Sequence, residues 1–122
     1  ESLVAKALGA SLAVGSTAGF DAVTPDGTRV QIKGRRLTPE NSSTQLSAIR
    51  NLAGKPFDVL AAVMFDKNLH VLYAALIPLS VVQEHGRYRA HTNAHTLHFR
   101  PSLLGAPGVR DITAEVRVAV TE

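Results

Sequence analysis

Residues 19–36 read GFDAVTPDGTRVQIKGRR, and this stretch decides the expected fold. Short runs on either side of the Pro-Asp-Gly sequence at 25–27 predict two strands, residues 20–23 and 29–33, joined by a tight turn. Alternate residues of a strand point to the same face. Gln31 and Lys33 are therefore predicted to project together from the second strand.

Asp21 lies on the first of these strands, where a hairpin would bring it close to Gln31 and Lys33. Val30 and Ile32 alternate with the polar pair and are expected to face the core. An acid, an amide oxygen and a lysine gathered on one face of a sheet can hold a divalent cation beside a phosphate. The hairpin is therefore the candidate site of chemistry.

The composition predicts one folded domain. The chain has 122 residues, 45% of them hydrophobic, which suits a single core. It has no cysteine, so disulfides and thiolate metal sites are excluded, and a reducing cytoplasm is the expected location. Its longest apolar run, residues 59–65, is far shorter than the roughly 20 residues of a membrane-spanning helix, so no membrane partner is expected.

The chain begins at Glu1 rather than at a methionine. We therefore expect residues 1–122 to be a domain truncated at its N-terminus, and an upstream domain stays open.

Basic residues are concentrated in one part of the chain. The formal net charge is +3, yet residues 28–55 contain six basic residues and one acidic residue. Such a segment beside a candidate acidic site is typical of proteins that bind phosphate polymers. The alternative is an ordinary solvated face, since charge patterns alone are weak evidence.

The rest of the chain alternates between helix and strand signals. Residues 1–10 predict a helix, 34–44 a polar loop, and 45–52 a short helix or turn. The apolar segments 57–65 and 70–77 predict a hairpin, and Pro78 predicts the start of a helix. Residues 95–100 alternate like a strand, whereas residues 111–120 fit either a helix or a strand. The result is an α/β arrangement around one sheet.

This order of elements, with Asp21 followed by the Gln-Ile-Lys sequence at 31–33, resembles the PD-(D/E)xK nucleases, the restriction-endonuclease-like superfamily. The stretch QIKGRRLTPENSSTQLSAIRNL at 31–52, with FDVLAAVMFD at 57–66, is similar to small bacterial domains of that superfamily. The resemblance implies a restriction-endonuclease-like core, with a central mixed sheet flanked by helices and an added hairpin strand.

The resemblance also implies roles for individual residues. Asp21 would be the principal ligand of Mg²⁺, for which Mn²⁺ can substitute, and Gln31 the second. The backbone carbonyl of Ile32 would support them, and Glu1 would approach from the first helix. Lys33 would orient the attacking water, so the catalytic set is Asp21, Gln31, Lys33 and Glu1. Because Gln31 replaces the usual carboxylate with a neutral amide, this site would attract a cation less strongly.

Five residues are expected to contact nucleic acid. Arg35 and Arg36 follow the catalytic strand and would grip phosphates, while Ser43, Gln45 and Arg50 would add donors and charge. For the polar residues around Ser43, the alternative role is the cap of a helix.

The function implied is a metal-dependent nuclease that hydrolyses phosphodiester bonds, of DNA in particular, in bacterial restriction, phage defence or DNA processing. One alternative keeps the fold without turnover, as a nucleic-acid-binding or protein-assembly module. Another is an interaction domain that pairs through the apolar hairpin at residues 57–77. A homodimer and a partner subunit both stay open.

A histidine cluster offers a rival site. His91, His95 and His98 are spaced by four and three residues, which on a helix would form a zinc-binding stripe. The alternation at 96–100 instead favours a loop followed by a strand, in which that stripe does not form.

Overall fold

The computed structural model describes residues 2–13 and 19–121, and within them it contains three α-helices and nine strands. The helices are α1 (Ser2–Leu8), α2 (Leu79–His85) and α3 (Thr113–Thr121). The strands are β1 (Ser11–Leu12), β2 (Ala22–Val23), β3 (Arg29–Arg36), β4 (Ile49–Arg50), β5 (Val59–Phe65), β6 (Val71–Pro78), β7 (Arg87–Arg89), β8 (Ala94–Thr96) and β9 (Arg110–Asp111). Two 3₁₀ helices span Leu52–Gly54 and Pro101–Gly105.

Six strands form the main sheet, in the order β1-β2-β3-β5-β6-β9. β3 and β5 run parallel, and the other neighbours are antiparallel. β5 can lie at the centre because its sequence VLAAVMF is apolar throughout, as expected of a strand covered on both faces. The fold is therefore α/β with a mixed sheet, as the sequence predicted.

Both faces of the main sheet are covered. On one face α1 and α3 pack together, and Val4 and Val116 bury against Val30 and Val63. On the other face lie α2, a three-stranded sheet in the order β4-β8-β7, and the connection from β3 to β5. This second layer matters for function because it covers the polar face of β3.

Several local predictions are confirmed. The N-terminal helix, the β2–β3 hairpin, the β5–β6 hairpin and the helix after Pro78 all form. The ambiguous tail is a helix, α3, and Asp111 Oδ1 accepts the backbone N–H of Thr113 at 2.9 Å. Val116 is fully buried, whereas Val118 is 54% exposed. Helical periodicity therefore prevails over the apparent alternation of these valines.

The prediction for residues 45–52 was wrong. The segment is extended, with Gln45 bridged to His98 and β4 paired to β8, and only its last residue enters a 3₁₀ helix. Leu46 and Ile49 are buried in the core, and the strand pairing that buries them overrides local helix preference. β3 also continues to Arg36, beyond the predicted loop boundary, because β5 pairs along its whole length.

The strand predicted at residues 95–100 is only partly found, because the chain from 87 to 96 forms two strands. These form a β7–β8 hairpin in the second sheet, and only the bridge at His98 follows Thr96. His91 lies in the turn and His95 in β8, so the histidines do not form a helical stripe. No group of three or more His, Cys, Asp or Glu side chains suited to a metal occurs within residues 2–13 and 19–121.

In the described part of the chain, no helix has the length and apolar character needed to cross a membrane.

Candidate active site

The β2–β3 hairpin places Asp21 beside Gln31. Ala22 pairs with Val30, so Asp21 lies opposite Gln31 in the register. The turn between the strands is closed by the backbone N–H of Gly27, which donates to the carbonyl of Thr24 at 2.9 Å. Gly27 has φ +88°, a conformation that glycine adopts without steric cost. The local turn sequence therefore determines which residues meet at the site.

The Asp21 carboxylate is anchored to β3. Its Oδ2 accepts the backbone N–H of Ile32 at 2.7 Å, in place of the ladder bond that a longer β2 would make. In an extended strand the N–H and C=O of one residue point to the same edge. The carbonyl of Ile32 is therefore expected to open towards the edge where Asp21 lies.

Gln31 has one satisfied and one unsatisfied end. Its Nε2 donates to the carbonyl of Gly19 at 3.2 Å, while its Oε1 is buried and has no hydrogen-bond partner among the described residues. Buried polar atoms are nearly always paired, so an orphaned oxygen at this position requires an explanation. A water or a cation bound there would supply the missing partner.

Gly19 sets the position of the carbonyl that Gln31 contacts. It has φ +92°, and a Cβ at this position would overlap the side chain of Pro56. Glycine is therefore required both by the backbone conformation and by the close approach of Pro56.

Lys33 lies on the same face of β3 as Gln31. Its Nζ donates to Ser47 Oγ at 2.8 Å, and the side chain is half-buried. Burial lowers the pKa of Lys33, and the negative charge of Asp21 partly offsets that shift. Val30 and Ile32 belong to the core on the opposite face, as the alternation predicted.

The three oxygens at this edge fit a hard divalent cation in donor type. They are a carboxylate oxygen of Asp21, the amide Oε1 of Gln31 and the carbonyl of Ile32, and Mg²⁺ prefers such ligands while retaining several waters. Asp21 supplies the carboxylate of this set. Glu1, the other predicted acidic ligand, lies outside the described residues.

Arg35 and Arg36 leave β3 on opposite faces. Arg35 shares the face of Lys33, and its Nη1 donates to the carbonyl of Gln45 at 2.6 Å while its Nη2 donates to Asn41 Oδ1 at 2.8 Å. Arg36 is exposed on the other face. The structure therefore does not bring the two guanidinium groups together, and that of Arg35 fastens the loop after β3.

The other predicted contacts are spread along the covering segment. Ser43 Oγ accepts the backbone N–H of Gln45 at 3.2 Å, but no helix begins there. Arg50 Nη1 donates to the carbonyl of Thr92 at 2.9 Å. Arg50 also lines a cleft of about 370 Å³ that includes Gln31 and Gly19. Of the five residues predicted to contact nucleic acid, Arg50 thus lines the same cleft as Gln31. Arg35 instead holds the loop after β3.

A second basic region was missed in the sequence. A cleft of about 550 Å³ is lined by five basic side chains: His85, Arg87, Arg89, His98 and Arg100. We call it the basic cleft. A signal for it exists, because residues 85–110 contain no aspartate or glutamate, although formal charge was concentrated more visibly in residues 28–55.

Comparison of the chain with protein-family models and with curated proteins finds no match.

Proposed function

We propose that the protein is a metal-dependent nuclease with a restriction-endonuclease-like core, which hydrolyses phosphodiester bonds of DNA. The observation that carries the proposal is the β2–β3 hairpin itself. One sheet face there combines an anchored carboxylate on Asp21, a buried amide oxygen on Gln31 with no partner among the described residues, and a half-buried ammonium on Lys33.

The topology supports the proposed core. A helix precedes the β2–β3 hairpin, β5 continues the sheet beside β3, and α1 and α2 lie on opposite faces. The added elements are the second sheet and the edge strands β1 and β9. The segment that covers β3 leaves Gln31 in the lining of a cleft, and its Ser47 contacts the half-buried Lys33.

Each residue of the hairpin has a proposed role. Asp21, Gln31 and the carbonyl of Ile32 would hold Mg²⁺, which when bound polarises a phosphoryl oxygen and lowers the pKa of a coordinated water. Lys33 orients the attacking water and offsets negative charge on the phosphate. Burial lowers the pKa of Lys33, and the negative charge of Asp21 partly offsets this shift. Ser47 Oγ holds Nζ in position.

In this role the partner is DNA, and the processes in a bacterium that use such an enzyme are restriction, phage defence and DNA processing. Mn²⁺ is expected to substitute for Mg²⁺, since both are hard cations that accept oxygen ligands.

A second candidate keeps the fold and the nucleic-acid binding but not the reaction. It is favoured by the charge of the site, where Gln31 is neutral and Asp21 Oδ2 already accepts a hydrogen bond from Ile32. A site with one carboxylate binds Mg²⁺ less strongly than one with two.

The deciding experiment is cleavage of supercoiled plasmid and of linear single-stranded DNA with Mg²⁺ or Mn²⁺. Wild type is compared with Asp21→Asn and Lys33→Ala. The matched controls are Glu40→Gln and Lys67→Ala, which remove the same charges from exposed positions. We expect metal-dependent cleavage that both site variants abolish and both controls retain.

Two other results would redirect the proposal. Salt-sensitive DNA binding without cleavage by the wild type would favour the binding module. Cleavage that persists in both Asp21→Asn and Lys33→Ala would place the activity outside this hairpin.

A further inference from the structure

The basic cleft concentrates positive charge on one wall. Arg87 and Arg89 are two residues apart on β7, so they point to the same face, and β8 pairs alongside. Arg100 adds a third guanidinium just before the 3₁₀ helix. Buried Leu97 and Leu103 contribute apolar surface to the lining.

The side chains of the three arginines of this cleft have no partner in the part of the chain that the structure describes. None of them makes a side-chain hydrogen bond or ion pair with another described residue, whereas Arg29 and Arg110 each pair with an acid. No residue lining the cleft is acidic. Three like charges therefore line one cleft with no acidic residue among its described lining.

Such an arrangement suits a ligand with repeated phosphates. A guanidinium presents donors in a fixed fork that matches phosphate oxygens in a bidentate manner. Several forks within one cleft can contact successive phosphates of a polymer, and histidines at the rim add donors. The cleft contributes Ser102 as a further hydroxyl donor.

The basic cleft is joined to the candidate active site through the segment that covers β3. Thr44 Oγ1 and His98 Nδ1 are 3.2 Å apart, and Leu46 donates its backbone N–H to the carbonyl of Leu97 at 2.9 Å. Ser47, in the same segment, contacts Lys33. Both sites therefore lie on the same side of the main sheet, where one extended ligand can reach them.

We propose that the basic cleft binds the phosphodiester backbone of nucleic acid away from the bond that is cut. This inference rests on the proposed function for its choice of nucleic acid as ligand, but it does not require hydrolysis. The arginines of the cleft anchor the polymer while Asp21, Gln31 and Lys33 act on a different phosphate.

The test is equilibrium binding of a fluorescent DNA duplex without divalent metal, measured over a series of salt concentrations. The variant Arg87→Gln/Arg89→Gln/Arg100→Gln should bind more weakly. The slope of log affinity against log salt should fall in magnitude by about 3, since each lost phosphate contact removes about 1. Single variants should each lower it by about 1, whereas Lys67→Gln, on the distant β5–β6 turn, should leave it unchanged.

A charge-conserving variant separates shape from charge. Arg87→Lys/Arg89→Lys/Arg100→Lys should keep most of the slope and lose affinity, because lysine lacks the planar fork. Thermal melting checks that each variant is folded. If the triple variant melts early, the single variants carry the test.

Three results would overturn the inference. One is a triple variant with wild-type slope and affinity for DNA. Another is a triple variant that no longer binds inorganic phosphate but binds DNA like wild type, which would mean a free-phosphate site. The third is loss of binding to vesicles containing phosphatidylserine with DNA binding unchanged, which would mean a lipid site.

The failure of this inference is distinguishable from failure of the proposed function. If Asp21→Asn abolishes cleavage while the triple variant binds like wild type, only the basic cleft has been misassigned. If the triple variant loses DNA binding but neither Asp21→Asn nor Lys33→Ala affects cleavage, the basic cleft stands and the active site does not.

Discussion

At the scale of single residues, Gln31 is the most informative side chain in the protein. Its Oε1 is buried and has no partner within residues 2–13 and 19–121, while its Nε2 contacts Gly19. A neutral oxygen held ready beside a carboxylate is useful to a cation, but it provides less attraction than a second carboxylate. Whether residue 31 carries an amide or a carboxylate should therefore determine how strongly the proposed site binds a metal ion.

We predict that Gln31→Glu makes the protein depend more on divalent metal. Without metal, the new carboxylate would face the carbonyl of Gly19 and lose a hydrogen bond, which should lower the free energy of unfolding by about 1–3 kcal/mol. With Mg²⁺ the second negative charge should increase metal affinity. Thermal melting with and without Mg²⁺ should show a larger metal-induced rise for Gln31→Glu than for wild type. Equal rises would contradict the assigned metal site.

Lys33 should make stability depend on pH. Its pKa in the folded state is lowered from 10.5 by burial, so the unfolded chain binds more protons between the lowered value and 10.5. Stability rises with pH wherever the unfolded state binds more protons. The stability of wild type relative to Lys33→Met should therefore increase as the pH rises towards 10.5 in urea unfolding.

Lys67 is the control for this effect because it is exposed on a turn. Urea unfolding of Lys67→Met over the same pH range controls for the loss of a lysine side chain as such. An identical pH response in the two variants would mean that burial of Lys33 has no thermodynamic consequence.

The side of β3 on which the site lies was predictable from sequence, because strand alternation is a local rule that applies to Gln31, Lys33 and Val30 alike. The buried position of the Gln31 Oε1 atom was not predictable, because Gly19 and Pro56, which line the same cleft, belong to other segments of the chain. The hydrogen bonds from Arg35 to Gln45 and Asn41 could not be predicted either, because those partners lie in a loop whose path depends on long-range contacts.

At the scale of elements, the entry into β2 depends on Gly19. Both Gly19 and Gly27 have positive φ, but only a Cβ on Gly19 would overlap another residue, Pro56. Gly27→Ala should therefore cost about 1–2 kcal/mol from the backbone alone. Gly19→Ala should cost a further 1–3 kcal/mol or so from the overlap and should displace the carbonyl that Gln31 contacts.

Urea unfolding of the two glycine variants measures this difference, and cleavage assays measure its effect on the site. We expect Gly19→Ala to be the less stable and the less active of the two. Equal stability would mean that Pro56 moves aside freely.

The loop after β3 is held by Arg35. Because its guanidinium bonds to Gln45 and Asn41, Arg35→Ala should lower the free energy of unfolding by about 1–3 kcal/mol. Amide hydrogen exchange should accelerate in residues 38–48. Arg36→Ala, at an exposed position on the opposite face, should change stability by less than about 0.5 kcal/mol. Similar exchange in both variants would leave the loop without its proposed anchor.

Hairpins and helices with strong local signals were predictable, and the segment at residues 45–52 was not. Its partners in β8 and at His98 lie about fifty residues further along the chain, so no local window contains the pairing. Leu46 and Ile49, three residues apart, match a helical period by chance, while burial against the second layer requires an extended chain.

At the scale of the whole molecule, the α/β class followed from the sequence, but the parallel pairing of β3 and β5 and the second sheet did not. Both join segments separated by long connections. Folding also brings a second basic segment, around β7 and β8, to the side of the main sheet that carries Lys33. The distribution of charge along the chain indicated the basic segment at residues 28–55 but did not lead to a prediction of the basic cleft.

The central claim is that Asp21 anchors a divalent cation on this fold, and titration of the protein with Mn²⁺ by calorimetry tests it most directly. We predict one Mn²⁺ bound per chain in wild type and in the Glu40→Gln control, and no binding in Asp21→Asn, which keeps a hydrogen-bond acceptor for Ile32 but loses the charge. Equal Mn²⁺ binding by wild type and Asp21→Asn would contradict the account.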